Sequence, residues 1–374
     1  MNGRVRLWRI RWHSTTEGSQ TFTDHLLDEA ERTISEGVRE MACRLNRGTT
    51  SFQQTAENLT RAAHLTVCKE TLRQLIESEG KAVLKAQQRG ELAPDWQAQD
   101  CQTESGPTRV YLGSDGVMVP LVTDAEKQKR RAACKEKRKK RGRKCQPLPP
   151  RKKGSDQSYK EFKLGVLYDE GQKHRFVGAT SGDHAVAGRM MQRMATQIGL
   201  SQAEEKIGLA DGSPWIRNEI ELYGLVNDLG LDYYHLRDNV QKARLAVYGE
   251  DNADGQAWRD QTMGLFYERG YGPAFDHLVA WRAKLRGSKR TAADRLLGYV
   301  VERRETIRYP DFLARGWQIG SGPTEAQCKV ATQRLKGRGR RWDKANAEAV
   351  MALDCLDSSH AWNLYWTSLD PETN

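Results

Sequence analysis

Arg109-Val-Tyr-Leu-Gly-Ser-Asp115-Gly-Val-Met-Val-Pro-Leu-Val122 is the stretch at which the chain changes its periodicity. Before it, apolar residues recur every three or four positions, as on one face of a helix. From Arg109 on, β-branched and aromatic residues crowd together and predict a strand. Downstream, Tyr159 to Tyr168 and His174 to Thr180 supply two more strands. A helix over Asp183 to Ile198, a strand over Ile207 to Asp211, a helix over Pro214 to Tyr223 and a fifth strand over Leu231 to His235 follow.

Three strands, helix, strand, helix, strand is the order of an RNase H-like α/β domain with a mixed five-stranded sheet. Asp238 to Arg308 is almost wholly helical in pattern and predicts an all-α insertion. The expected division is a helical region over 1–100, the first part of the core over 108–237, the insertion over 238–315 and the rest of the core over 316–374. Within the helical region, Phe22 to Leu45 predicts one amphipathic helix. Thr50 to Leu59 and Val67 to Ile76 then form a pair of short helices that a DNA-binding helix-turn-helix would match, although any two short amphipathic helices give this pattern.

After the fifth strand, Gly316-Trp-Gln-Ile-Gly-Ser-Gly-Pro-Thr-Glu325 predicts a helix opening at Pro323, because proline suits the first helical position. Glu325 lies in its first turn, followed by Lys329 and Lys336 and then by Arg338, Arg340 and Arg341. A carboxylate there also complements the helix dipole and pairs with a lysine four residues on. Asp115 and Asp211 each read strand, Asp, Gly, which is also how a turn is written. In an RNase H-like fold the first and fourth strands are neighbours and the last helix crosses their ends, so the three carboxylates would converge. Oxygen ligands of this kind suit two Mg²⁺ or Mn²⁺ ions working on a phosphodiester.

The formal charge is +11 over 374 residues, and Lys127 to Lys153 alone holds fifteen Lys or Arg against one acid, Glu136. So dense a run, including Lys139, Lys140, Arg141 and Arg143, cannot collapse into a core and is expected as a solvated loop that condenses on nucleic acid. No apolar run is long enough for a membrane span and the N-terminus lacks a signal-peptide core, so a cytoplasmic, nucleoid-associated protein is expected. The seven cysteines show no CxxC pair and read as reduced thiols.

Gly113-Ser-Asp115-Gly-Val-Met-Val-Pro120, Ala210-Asp211-Gly-Ser-Pro-Trp215-Ile, Leu231-Asp-Tyr-Tyr-His235 and Ile319-Gly-Ser-Gly-Pro-Thr-Glu325-Ala-Gln-Cys-Lys329 resemble the blocks of bacterial DDE transposases, the Kra-four insertion-sequence family in particular. The resemblance covers about residues 108 to 370. It departs from the family in the weight of the basic segment and at Arg340, where a methionine is expected. It implies Mg²⁺-dependent cleavage and joining of DNA strands at Asp115, Asp211 and Glu325, with His235 near the active centre. It also implies a homodimer on transposon ends and target DNA. Trp215 would wedge against an unpaired base or simply fill the core. A catalytically silent DNA-binding protein derived from a mobile element is the other reading.

Overall fold

The structure, a computed structural model, describes residues 12–16, 18–20, 34–148 and 156–367. The N-terminal part of the helix expected over Phe22 to Leu45 and the end of the basic segment, 149–153, lie outside them. A short antiparallel hairpin joins Trp12–Ser14 to Gly18–Gln20. Helices α1 (Glu36–Arg47), α2 (Phe52–Ala63) and α3 (Lys69–Arg89) come next, then strand β1 (Arg109–Pro120) and helix α4 (Asp124–Lys140). Strands β2 (Tyr159–Asp169) and β3 (Arg175–Thr180) lead to α5 (His184–Gln197), β4 (Glu205–Ala210), α6 (Pro214–Tyr223) and β5 (Asp228–Leu231). Five helices follow: α7 (Tyr233–Tyr248), α8 (Ala253–Arg269), α9 (Tyr271–Ala283), α10 (Gly287–Glu302) and α11 (Tyr309–Ala314). The chain ends in α12 (Gly322–Gln333), α13 (Lys344–Ser358) and α14 (Trp362–Thr367).

These elements fall into two compact units, one of residues 93–117 and 162–329 and one of 1–92, 118–161 and 330–374. This differs from the expected division, because the N-terminal helices share a unit with the basic segment and the C-terminal helices.

The sheet-containing unit is built on the strand order β3-β2-β1-β4-β5, with β1 and β4 parallel, β4 and β5 parallel, and β2 and β3 antiparallel. It is the mixed five-stranded sheet that the strand pattern predicts. One face buries Val110, Leu112, Leu167 and Phe176 beneath Met190, Met191, Met194, Ile216 and Ile220 of α5 and α6. Alternation along β1 puts Tyr111 on the other face, where it stacks on Tyr168 at 5.3 Å. A separate core, centred on Val240, Phe266, Leu278 and Leu296, holds the helical stretch from α7 onward.

In the helical unit, α3 is the central helix. Leu72, Leu75, Ile76 and Val83 bury against Leu353, Leu356, Trp362 and Tyr365. Gly80 permits the closest approach, since a Cβ there would lie 2.2 Å from the Ala349 carbonyl oxygen of α13. The buried Glu79 carboxylate accepts from Arg39 at 2.7 Å and from the Tyr365 hydroxyl at 2.6 Å. Of the pair expected as a helix-turn-helix, α3 thus buries one face in this core, while Lys69, Glu70, Thr71, Gln74, Lys81 and Lys85 are exposed on it. The connection after α2 contains no glycine, and His64 takes the left-handed position (φ 54°) in its place.

The expected basic loop is also corrected, because residues 124–140 form α4. Thr123 and Glu126 make a capping box, and the Asp156 carboxylate accepts from the backbone N–H groups of Asp124 (2.5 Å) and Ala125 (3.0 Å). Acids at an N-terminus complement the helix dipole and supply partners for groups that no helical carbonyl reaches. No side chain of α4 is buried, so its cations remain solvated along its length.

Asp354 sits at the centre of the helical unit. Burial, outweighing the Arg47 guanidinium at 2.8 Å, pushes its carboxyl from 3.8 up to about 7. The folded state thus holds the proton more tightly than the unfolded chain, and unfolding releases it between the two values. The stability from this group is complete below about pH 4 and is lost as pH rises toward about pH 7. Urea unfolding at about pH 5 and pH 8 should show a larger loss of stability in the wild type than in Asp354→Asn, which cannot ionise. Equal losses in the two proteins would contradict this assignment.

Candidate active site

The parallel ladder between β1 and β4 runs through Gly113–Leu209 and ends at Ser114–Ala210. Asp115 and Asp211 are the next residues on the two neighbouring strands. At Asp115 the strand continues through Gly116 to Pro120, so the Asp-Gly pair is not a turn there. At Asp211 it is one: Gly212 has φ 83°, and the carboxylate accepts from the Ser213 N–H and hydroxyl, each at 2.7 Å.

Glu325 lies in the first turn of α12, which packs on β1. A Cβ at Gly113 would stand 1.8 Å from Thr324 Oγ1, so the helix rests directly on β1 two residues before Asp115. The loop leading into α12 is fixed at three points. Arg109, 3% exposed, donates to the carbonyls of Arg315 and Gly316 while it pairs with Glu205 at 2.6 Å and Glu170 at 2.9 Å. The Tyr111 hydroxyl accepts from the Gln318 N–H at 3.1 Å. The third point is Asp232, whose carboxylate is fully buried and accepts from the backbone N–H groups of Ser321 and His235, the latter at 2.8 Å.

Asp232 also corrects the fifth strand. β5 ends at Leu231, Asp232 caps α7, and His235 lies in the first turn of that helix instead of at a strand end. The physical reason is the cap: an aspartate three residues before a free N–H favours helix initiation over continued pairing. From this position His235 Nε2 stands 3.8 Å from Glu325 Oε1, with both side chains part-exposed.

Burial raises the Asp115 carboxyl above its ordinary range, and the Asp211 charge adds to the effect. The Gly116 N–H, the Cys328 thiol and His235 oppose it. Two like charges just beyond the end of the β1–β4 ladder favour a proton or a cation between them. Hard oxygen donors of this kind fit Mg²⁺ or Mn²⁺ in their chemistry. Among the described residues, however, no three His, Cys, Asp or Glu side chains are gathered closely enough to hold one ion together.

The other candidate residues are placed differently. Trp215 is half-buried in the first turn of α6, packed against the core below that helix, with Lys163 Nζ 5.2 Å from its ring. Its ring fills the fold in this arrangement. Lys329 is exposed on α12, whereas Lys336 and Arg338 are exposed beyond the end of that helix at Gln333. Arg340 folds back to donate to the carbonyls of Gln333 and Arg334, and Arg341 donates to the Leu121 carbonyl and pairs with Glu126. These two arginines fasten the segment after α12. Lys139, Lys140, Arg141 and Arg143 are exposed at the C-terminal end of α4 and just after it.

Sequence reasoning missed Asp232, Thr324 and Cys328 as neighbours of the carboxylates. The signal for Asp232 was present, since Asp-Tyr-Tyr-His is a helix-capping pattern as readily as the end of a strand.

No protein-family model matches the chain, and no curated protein does. Among solved structures, it is similar to the Drosophila P element transposase strand transfer complex at a TM-score of 0.30 and 8% identity, over 90% of this chain and 81% of that one. A likeness of that size carries no argument about this chain.

Asp232→Asn tests the fastening of the two helices. An amide offers one acceptor where the carboxylate offers two, so one N–H group would face another donor at a cost of about 1–3 kcal/mol. Amide exchange at Ser321 and His235 should accelerate while the sheet stays protected. Unchanged exchange at both would show that Asp232 does not hold them.

Proposed function

We propose that the chain is a DNA strand-cleaving and strand-joining enzyme on an RNase H-like core, an insertion-sequence transposase of the DDE kind that its motif blocks resemble. The observation that supports this reading is that Asp115 and Asp211 directly follow the last paired residues of two adjacent parallel strands, while Glu325 lies on a helix that rests on β1 at Gly113. Two Mg²⁺ or Mn²⁺ ions held by these three side chains would activate an attacking water or 3′-hydroxyl and stabilise the leaving oxygen.

The chain's own residues do the rest. Asp232 fixes the N-termini of α7 and α12, so that His235 and Glu325 meet from two elements. His235, part-exposed beside Glu325, is placed to hydrogen-bond a phosphate oxygen as a neutral ring or, protonated, as a cation. The part-exposure of His235 and Glu325 leaves room for a strand to reach them. Phosphate contacts made without reading bases fit the exposed cations of α4, and the element ends would be bound by two copies of the chain.

A catalytically silent DNA-binding protein is the second reading, favoured by the absence of a gathered three-ligand cluster among the described residues. Alanine at Asp115, Asp211 or Glu325 separates the two. Each variant should lose Mg²⁺-dependent strand cleavage by roughly two orders of magnitude or more while duplex binding persists. Cleavage by Asp211→Ala at the wild-type rate would leave only the binding function.

The role of α4 is tested independently by replacing Lys135, Arg138 and Lys139 with glutamine. Affinity for every duplex should fall together, and the slope of log affinity against log salt should decrease by roughly three units, close to one for each phosphate that is no longer neutralised. Weakening confined to one DNA sequence would instead make α4 a reader of bases.

A further inference from the structure

The first turn of α7 carries a second feature beside His235. Tyr233 is met edge-on by three other tyrosines: Tyr234 at 5.8 Å, Tyr267 at 5.9 Å and Tyr309 at 5.3 Å. Tyr309 is buried and anchors the group in the core, whereas Tyr234 and Tyr267 remain 50% and 42% exposed. Two large aromatic faces are thus held at the surface by packing, at little further entropic cost when they bind. Tyr234 is set against the loop that enters α12, since a Cβ at Gly320 would lie 2.9 Å from its ring.

Between α7 and α8 the Tyr233 and Tyr267 rings wall a cleft, completed by Met263 and Gly264. On its rim Arg259 and Asp260 pair at 2.6 Å, a donor and an acceptor side by side. Arg237, whose guanidinium lies 4.9 Å from the centre of the Tyr234 ring, lines the cleft as well, and among the described residues no carboxylate pairs with it. Aromatic walls, a paired donor and acceptor and an uncompensated arginine are the chemistry that takes a planar heterocycle joined to a phosphate.

We propose that this cleft binds one unpaired nucleobase of the DNA strand held at the carboxylates, stacked on Tyr267, with Arg237 on its phosphate. The inference rests on the proposed DNA-processing function and adds a recognition element for unpaired ends. Displacing a base from its stack costs a few kcal/mol, so DNA that already carries an unpaired end gains most from such a site.

Gly264 offers a direct test. A Cβ there would meet nothing within 4 Å, so Gly264→Leu has room for its side chain and replaces a poor helix former inside α8 with a good one. The variant should fold at least as well as the wild type and carry a filled cleft. Binding of the full chain is measured, without divalent metal, to a blunt duplex and to the same duplex with a short single-stranded overhang bearing 2-aminopurine. The wild type should prefer the overhang by about tenfold, the gain expected of one stacked base, and should change its 2-aminopurine fluorescence. Gly264→Leu and Tyr267→Ala should bring the two affinities within about twofold of one another, and Tyr267→Phe should keep the preference. A wild type that binds both DNAs equally, or a Gly264→Leu variant that keeps the preference, overturns the base site while leaving the proposed function intact. Binding to neither DNA overturns that function, and the base site with it.

Discussion

One buried carboxylate ties the candidate site together. Asp232 accepts from the backbone at the start of α7 and in the loop entering α12, and its own N–H donates to Ala210 at 2.8 Å, next to Asp211. The end of β4, the start of α7 and the entry to α12 therefore meet at a single residue. A buried anion is tolerable there because backbone N–H groups at helix N-termini supply both hydrogen bonds and partial positive charge. Arg109 and Tyr111, on β1, hold the same loop from the sheet side. The loop before Glu325 is thus held by a network of backbone contacts, and the Glu325 side chain is left to face His235.

Electrostatics divides the work in a second way. Asp115 and Asp211 repel one another, and the upward shift of Asp115 records that repulsion on top of burial. α4 carries the opposite problem, with cations around its whole circumference and no buried face. Both regions are less favourable alone than with a counter-charge. In the proposed reading a compact divalent ion would balance the first and an extended polyanion the second.

The strands and the helix bearing Glu325 were legible because each leaves a local mark, apolar β-branched runs and Pro323 after a Gly-Ser-Gly turn, whereas the adjacency of β1 and β4 followed only from the RNase H-like order of the elements. The stretch over Leu231 to His235 was misread because two aromatic residues raise strand propensity, while a single cap hydrogen bond decides for the helix. The helical state of 124–140 was hidden by its composition. Like charges argue against a packed element, but capping at Thr123 and Asp156 needs no core. The fates of Arg340 and Arg341 could not be read locally, since their partners, Arg334, Leu121 and Glu126, are set by tertiary folding. Long-range approaches such as Gly113 against Thr324 leave no periodic trace at all.

The central claim is that Asp115, Asp211 and Glu325 act as one divalent-metal site. Electron paramagnetic resonance of Mn²⁺ titrated into the full chain measures this without any reaction being run. The account predicts saturation near two ions per chain, with that binding abolished when all three carboxylates are replaced by their amides. Mn²⁺ binding of equal strength in the wild type and the triple variant would contradict it.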